Sequence, residues 1–224
     1  MDRRKFLATS ASIGAAVLPL NGANAANAKE SKEFVGVLVD TTRCIGCRTC
    51  EVACSETWGN FVPDSKSDNA LEQRRDTSEK QFTVVNRFST DKGEVFVKRQ
   101  CMHCWQAACV SMCLVNAMYK TKEGPVTWNG DKCLGCRFCM VACPFDIPKA
   151  EYHSWNPRIM KCHMCYERLQ QGKKPACVEA CKEKALFFGD LKDPESQVRK
   201  ALQNRIIYQR QPELGTKPKV YYIL

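Results

Sequence analysis

Residues Cys133-Leu134-Gly135-Cys136-Arg137-Phe138-Cys139-Met140-Val141-Ala142-Cys143-Pro144 decide how this chain is read. Three cysteines recur at two-residue gaps, and a fourth follows three residues later, just before a proline. Cys44-x2-Cys47-x2-Cys50-x3-Cys54 lies upstream, followed by Cys101-x2-Cys104-x4-Cys109-x3-Cys113. Cys162-x2-Cys165-x11-Cys177-x3-Cys181 lies downstream. All 16 cysteines of the 224 residues thus fall into four groups of four, with none left over. Three thiolates at this spacing lie on one tight loop and can wrap three corners of an iron–sulfur cube. The fourth sits one helical turn further on, points away from that loop and serves the other cluster of a pair.

The N-terminus carries an address. Met1-Asp2-Arg3-Arg4-Lys5-Phe6-Leu7 leads into a weakly apolar run ending at Leu20, then Ala23-Asn24-Ala25 and Ala26-Asn27-Ala28. The run is too short for a bilayer core, which needs roughly 20 apolar residues. It reads as a twin-arginine signal peptide over residues 1–25, with Ala28 as the other cleavage site. That route exports proteins already folded, often with cofactors inserted. No other segment approaches a membrane span: the tail is broken by Arg199, Lys200, Arg205, Arg210, Glu213, Lys217 and Lys219. The expected location is the periplasm, peripheral to the inner membrane through partner subunits.

Two other uses of cysteine compete. Export normally favours disulfides. Yet C-x2-C bridges close tiny loops and remove little denatured-state entropy, and bridges at that spacing tend to be redox-active. Structural zinc uses paired C-x2-C knuckles or Cys/His mixtures, unlike the run ending in Pro144. Soft thiolates suit iron–sulfur clusters. A formal charge of +10 invites a nucleic-acid reading. Residues 1–25 carry a net +2, which leaves +8. Four 4Fe–4S clusters with their thiolates carry roughly −2 each and cancel it, so nucleic-acid binding loses its main support.

From about residue 37 to residue 189 the chain resembles the four-cluster iron–sulfur subunits of respiratory oxidoreductases. That family serves dimethyl sulfoxide, polysulfide, thiosulfate and tetrathionate reductases, formate dehydrogenase, formate-dependent nitrite reductase systems and one hydrogenase branch. Cys101-Met102-His103-Cys104, Gly135-Cys136-Arg137, Cys143-Pro144-Phe145 and Pro175-Ala176-Cys177-Val178-Glu179 strengthen the likeness. It implies four 4Fe-4S clusters, the first held by Cys44, Cys47, Cys50 and Cys181, and the second by Cys162, Cys165, Cys177 and Cys54. Cys101, Cys104, Cys109 and Cys143 would hold the third, and Cys133, Cys136, Cys139 and Cys113 the fourth. The implied fold is α+β, two interlocked bacterial-ferredoxin-like units of βαβ type with two clusters each. Residues 34–58 plus 150–190 would form the outer unit and 94–149 the inserted one. Residues 59–93 would connect them and 191–224 form a C-terminal tail. The first cluster would face a catalytic partner and the fourth the membrane. Leu114 and Lys182 depart from the proline that often follows the last cysteine, and Lys182 is expected to raise the potential of the first cluster.

The resulting expectation is a non-catalytic electron-transfer subunit. Its partners would be a large catalytic subunit of molybdopterin type and an integral membrane quinone-interacting subunit. The alternatives are an electron-transfer subunit of a periplasmic nickel–iron hydrogenase and a free periplasmic polyferredoxin. No nucleophile–base constellation is present. Residues 35–40, 94–98 and 125–128 read as strands delivering the chain to cluster loops, and each fourth cysteine is expected in or at the start of a short helix. Residues 58–91 read as a surface loop, with Phe82, Val84, Val85 and Phe88 suggesting a strand. His103 and His163 are expected to be exposed or hydrogen-bonded, and Trp58, Trp105, Trp128 and Trp155 to pack around the clusters. The sequence leaves open whether the tail wraps a partner or its own domain.

Overall fold

The computed structural model describes residues 34–155, 158–203 and 205–224. The expected signal peptide and both expected cleavage sites lie outside them. Strand β1 (Val35–Asp40) enters the first cysteine motif and is buried along its whole length. Successive side chains of a strand point to opposite faces, so burial on both faces needs a layer on each side. Val35, Val37 and Val39 join a core with Phe145, Ile147, Val220 and Tyr222, against which cysteines of several motifs pack. Leu38 points the other way, onto Val198 and Ile223.

Helix α1 (Thr49–Trp58) begins inside the first motif and carries Cys50 and Cys54, and a short helix α2 (Asn69–Glu72) comes next. Strands β2 (Val84–Thr90) and β3 (Gly93–Arg99) form an antiparallel hairpin. The segment read as a surface loop therefore contains a packed strand, with Phe82, Val84 and Val85 buried and Phe88 exposed. Helix α3 (Ala108–Ser111) lies in the second motif, and β4 (Met118–Lys120) pairs with β5 (Val126–Trp128) before the third. Helix α4 (Phe138–Val141) follows, and β6 (Lys149–Ala150) pairs with β7 (Ile159–Met160) before the fourth. That motif holds α5 (Tyr166–Gln170) and α6 (Ala176–Glu179).

Strand β8 (Leu186–Asp190) leaves the fourth motif and returns antiparallel to β1. Helix α7 (Gln197–Leu202) is capped by Ser196, whose hydroxyl accepts from the Arg199 amide at 3.2 Å. Strands β9 (Ile207–Gln209) and β10 (Val220–Ile223) complete a sheet of order β8-β1-β10-β9, with β10 parallel to β1. The tail thus wraps its own domain. The architecture is mixed helix and strand, with the four-stranded sheet holding the ends of the domain together. No described helix is long and apolar enough to cross a membrane.

One buried ion pair ties the first motif to the hairpin. Glu51 in α1, next to Cys50, is fully buried and takes the Arg75 guanidinium at 2.6 and 3.2 Å. Its carboxylate also accepts the Val85 amide of β2 at 2.6 Å and Gln81 Nε2 at 3.2 Å. Removing one partner of such a pair strands the other charge. Glu51→Ala is therefore expected to cost about 3–5 kcal/mol, read as a lowered denaturation midpoint with unchanged slope in anaerobic urea titration.

Candidate metal centre

Each cysteine loop is built on the same backbone turn. Gly46, His103, Gly135 and Met164 each stand two residues after the first cysteine of a motif, and take φ of 73°, 45°, 69° and 56°. This left-handed conformation swings the chain back so that successive thiols face one space. Glycine is required most strictly at position 46, where an added Cβ would meet the Phe96 ring at 2.4 Å. A second turn follows in three motifs. Asn116, Asp146 and Lys184 take φ of 52°, 52° and 49°, and their amides donate to the carbonyls of Cys113, Cys143 and Cys181 at 3.2, 3.1 and 3.1 Å. These turns correct one expectation. Cys109, Cys139 and Cys177, the third cysteines, lie in the short helices, while Cys113, Cys143 and Cys181 fall just beyond them. Only in the first motif is the helix long enough to include the fourth cysteine, Cys54.

The loops bring the thiols together across the chain. Cys44, Cys47, Cys50 and Cys181 line one cavity, with Val85, Lys98, Ala185 and Leu186 among its walls. Cys101, Cys104, Cys109 and Cys143 line another, closed by Met102, Phe145 and Ile147. Cys54 feels the charges of Cys162, Cys177 and Cys165, and Cys139 those of Cys133, Cys113 and Cys136. Quartets one and two adjoin where Cys50 faces Cys177, and two and three adjoin where Cys162 faces Cys101. All sixteen cysteines are free thiols.

A metal group fits these sites on several counts. Among the described residues no three His, Cys, Asp or Glu side chains are placed to share a single metal ion; the fit is carried by the cavities that the first and third quartets line. The thiols surround a space, which suits a multi-iron cube better than zinc, whose sulfurs meet at about 2.3 Å from one ion. Several sulfurs also receive hydrogen bonds as a cluster ligand would. The Met118, Gly135 and Met164 amides donate to Cys113, Cys133 and Cys162 at 3.3, 3.4 and 3.4 Å. The Trp58 indole donates to Cys165 at 3.4 Å. Exposure is confined to two quartets: Cys47 in the first and Cys136 in the fourth are exposed, and no cysteine of the other two is. Ile45 lies two residues before Cys47 in the sequence, and Leu134, Phe138 and Val141 flank Cys136 along the chain, all four exposed.

Basic side chains that the sequence reading passed over lie inside. Lys98 is buried. Its desolvation is outweighed by the sulfurs of Cys177, Cys50, Cys162 and Cys54, which hold its pKa above the ordinary lysine value. Lys161 is buried and donates to the carbonyls of Val126 and, at 3.0 Å, Cys162. Arg48 is buried, lines the first cavity and donates to the Ser67 carbonyl at 3.0 Å. By contrast Lys182 is exposed, so solvent screens its charge. His103 is buried with Nδ1 accepting from the Val126 amide at 3.0 Å, and burial lowers its pKa, so it is neutral. His163 lies 3.2 Å from Glu167 and edge-on to Trp58. Trp105 stacks on Phe34. Trp155 does not pack around a cluster site; it is 99% exposed.

Residues 93–191 match the 4Fe-4S dicluster domain family. Most of the chain is similar to larger and comparable proteins. A protein of Nitratidesulfovibrio vulgaris (strain Hildenborough) is 46% identical over 206 residues, covering 86% of this chain and 55% of that protein. Hydrogenase-2 operon protein HybA of Escherichia coli O157:H7 is 35% identical over 223 residues, covering 90% of this chain and 66% of that protein. Protein NrfC of Escherichia coli (strain K12) is 36% identical over 196 residues, covering 84% of this chain and 79% of that protein. The chain thus spans about half the length of the first relative and just under two thirds of the second.

Burial dictates how the iron-free thiols titrate. It pushes Cys104, Cys109 and Cys162 up to about 12 and Cys139 to about 11, from an ordinary 9.0. Between those values and 9.0 the unfolded chain releases protons that the folded one keeps, so stability falls as pH rises. The urea midpoint of the reduced, iron-free chain is expected to decline steadily above pH 9. The iron-loaded chain, whose sulfurs have already lost their protons, should show no such decline. A flat profile for the iron-free chain would contradict the burial of its thiols.

Proposed function

The chain belongs to the 4Fe-4S dicluster family of iron–sulfur proteins, and from that premise we propose that it is an electron-transfer subunit of an anaerobic respiratory complex. It would hold four 4Fe-4S clusters in the four thiol quartets and conduct single electrons between an extracytoplasmic catalytic subunit and a membrane quinone-reactive subunit. One observation carries this reading. The quartets follow one another through the core, and exposed cysteines occur only in the first, at Cys47, and the fourth, at Cys136. A chain that conducts between two partners needs access at two ends and insulation between them.

When bound, each cluster accepts and releases a single electron. The residues of the chain do the rest. Cys44, Cys47, Cys50 and Cys181 would ligate the first cluster, and Cys162, Cys165, Cys177 and Cys54 the second. Cys101, Cys104, Cys109 and Cys143 would ligate the third, and Cys133, Cys136, Cys139 and Cys113 the fourth. Met102, Phe145 and Ile147 exclude water from the third site, and the amides and indole aimed at the sulfurs stabilise their negative charge. Pairing of β1 with β8, which flank the first and fourth motifs, and the β4–β5 link between the second and third, support two interlocked ferredoxin-like units. Ile45 at one end, and Leu134, Phe138 and Val141 at the other, supply apolar surface for partners.

The twin-arginine reading places the complex in the periplasm, with a molybdopterin-type catalytic subunit as the leading partner. Similarity to a hydrogenase-2 operon protein favours a second reading, in which the catalytic partner is a hydrogenase. Gentle anaerobic purification from the native membrane distinguishes them by the large subunit that co-elutes. A monodisperse, partner-free polyferredoxin would sink both. Ligand pairing is tested separately by electron paramagnetic resonance. Cys54→Ser is expected to alter the signal of the cluster held by Cys162, Cys165 and Cys177 and leave that of Cys44, Cys47 and Cys50 intact; the reverse result overturns the pairing.

A further inference from the structure

Two buried lysines stand at the junctions of the quartets. Lys98, on β3, is 1% exposed and lines the cavity of Cys44, Cys47, Cys50 and Cys181. Its position is fixed at both ends: its carbonyl accepts the Tyr222 hydroxyl at 3.0 Å, and its ammonium donates to Gln100 Oε1. Its charge reaches Cys44 and Cys50 on one side and Cys54 and Cys162 on the other. Lys161, 6% exposed, lines the cavity of Cys101, Cys104, Cys109 and Cys143. Its charge reaches Cys109 and Cys143, while its ammonium is bonded to the Cys162 carbonyl of the neighbouring quartet at 3.0 Å.

We propose that Lys98 and Lys161 are positioning residues for electron transfer that set the potentials of distinct parts of the array, Lys98 those of the first and second sites together and Lys161 that of the third. This rests on the four-cluster reading above. The physical ground is the burial of two ammonium groups in an apolar core, where solvent does not screen them. The groups acting on Lys98 from the negative side are sulfurs. Adding an electron to a site makes it more negative, so a fixed positive charge beside it stabilises the reduced form and raises its potential. One lysine shared by two quartets raises the potentials of both in the same direction.

Anaerobic redox titration of the purified holoprotein, followed by electron paramagnetic resonance, tests this. The parent protein is read first. Fewer than four one-electron waves there overturns the four-cluster reading, and the lysine assignment with it. With four waves present, Lys98→Met is expected to lower two of them and leave the other two in place. The expected size is at least tenfold in the oxidised-to-reduced ratio at fixed potential, or about 59 mV for a one-electron couple. Lys161→Met is expected to lower most a wave that Lys98→Met leaves unmoved, and Lys98→Arg to return its two waves toward the parent positions. Unmoved waves in both variants, a uniform shift of all four, or the same waves moved by both overturn the proposal while leaving the four-cluster reading intact. Should Lys98→Met lose iron, recovery in Lys98→Arg still assigns the role to charge, and equal loss in both refutes it.

Discussion

The structure depends on keeping negatively charged sulfur inside apolar protein. A lone buried thiolate is costly, and the iron-free chain answers that cost by protonation. Iron removes the alternative: it takes the protons' place, and the charge left on each quartet must be met by the chain. The sequence holds enough excess positive charge to balance four such groups, and the fold places part of it where balance is needed. Lys98, Lys161, Lys219, Arg48 and Arg99 are all buried. A net charge that on the surface would suggest an acidic polymer as partner is here partly internal, with Lys98, Arg48 and Lys161 lining the cysteine cavities.

The second constraint is conformational. Four loops of different length and sequence all reverse direction at the second residue after their first cysteine. In two of them the residue is glycine, which takes that conformation freely. In the others it is His103 and Met164, both fully buried, whose packing offsets the strain. The common geometry is thus enforced from opposite directions, by backbone freedom in the first and third motifs and by side-chain burial in the second and fourth. It serves one end, which is to aim thiols from a short stretch of chain at one space.

Spacing made the cysteine motifs legible because loop geometry is local, and β1, β3 and β5 were legible because short apolar runs led into those loops. Three features were not. The partnership of β10 with β1 joins positions such as Val37 and Val220, and no local pattern records so distant a pairing. Lys98 sits in a strand read correctly as a strand, but its neighbours across the fold are cysteines from the first and fourth motifs, so its burial is a tertiary fact. Trp155 shows the converse: an aromatic near a cysteine motif invites a packing role, yet the chain carries it into solvent. The helices misled by one step, because an i-to-i+3 bond ends each short helix before the fourth cysteine.

The sheet order has a temporal consequence. Its two inner strands, β1 and β10, come from opposite ends of the described chain, and the first quartet likewise waits for Cys181. A ribosome delivering this polypeptide from its amino end cannot close the sheet when β1 emerges, since β10, its parallel neighbour, is made long afterwards. Until Cys181 has emerged, the opening loop and its thiols remain without their permanent neighbours. The full set of thiols around that loop is therefore available only once the last cysteine of the sequence, Cys181, has been made.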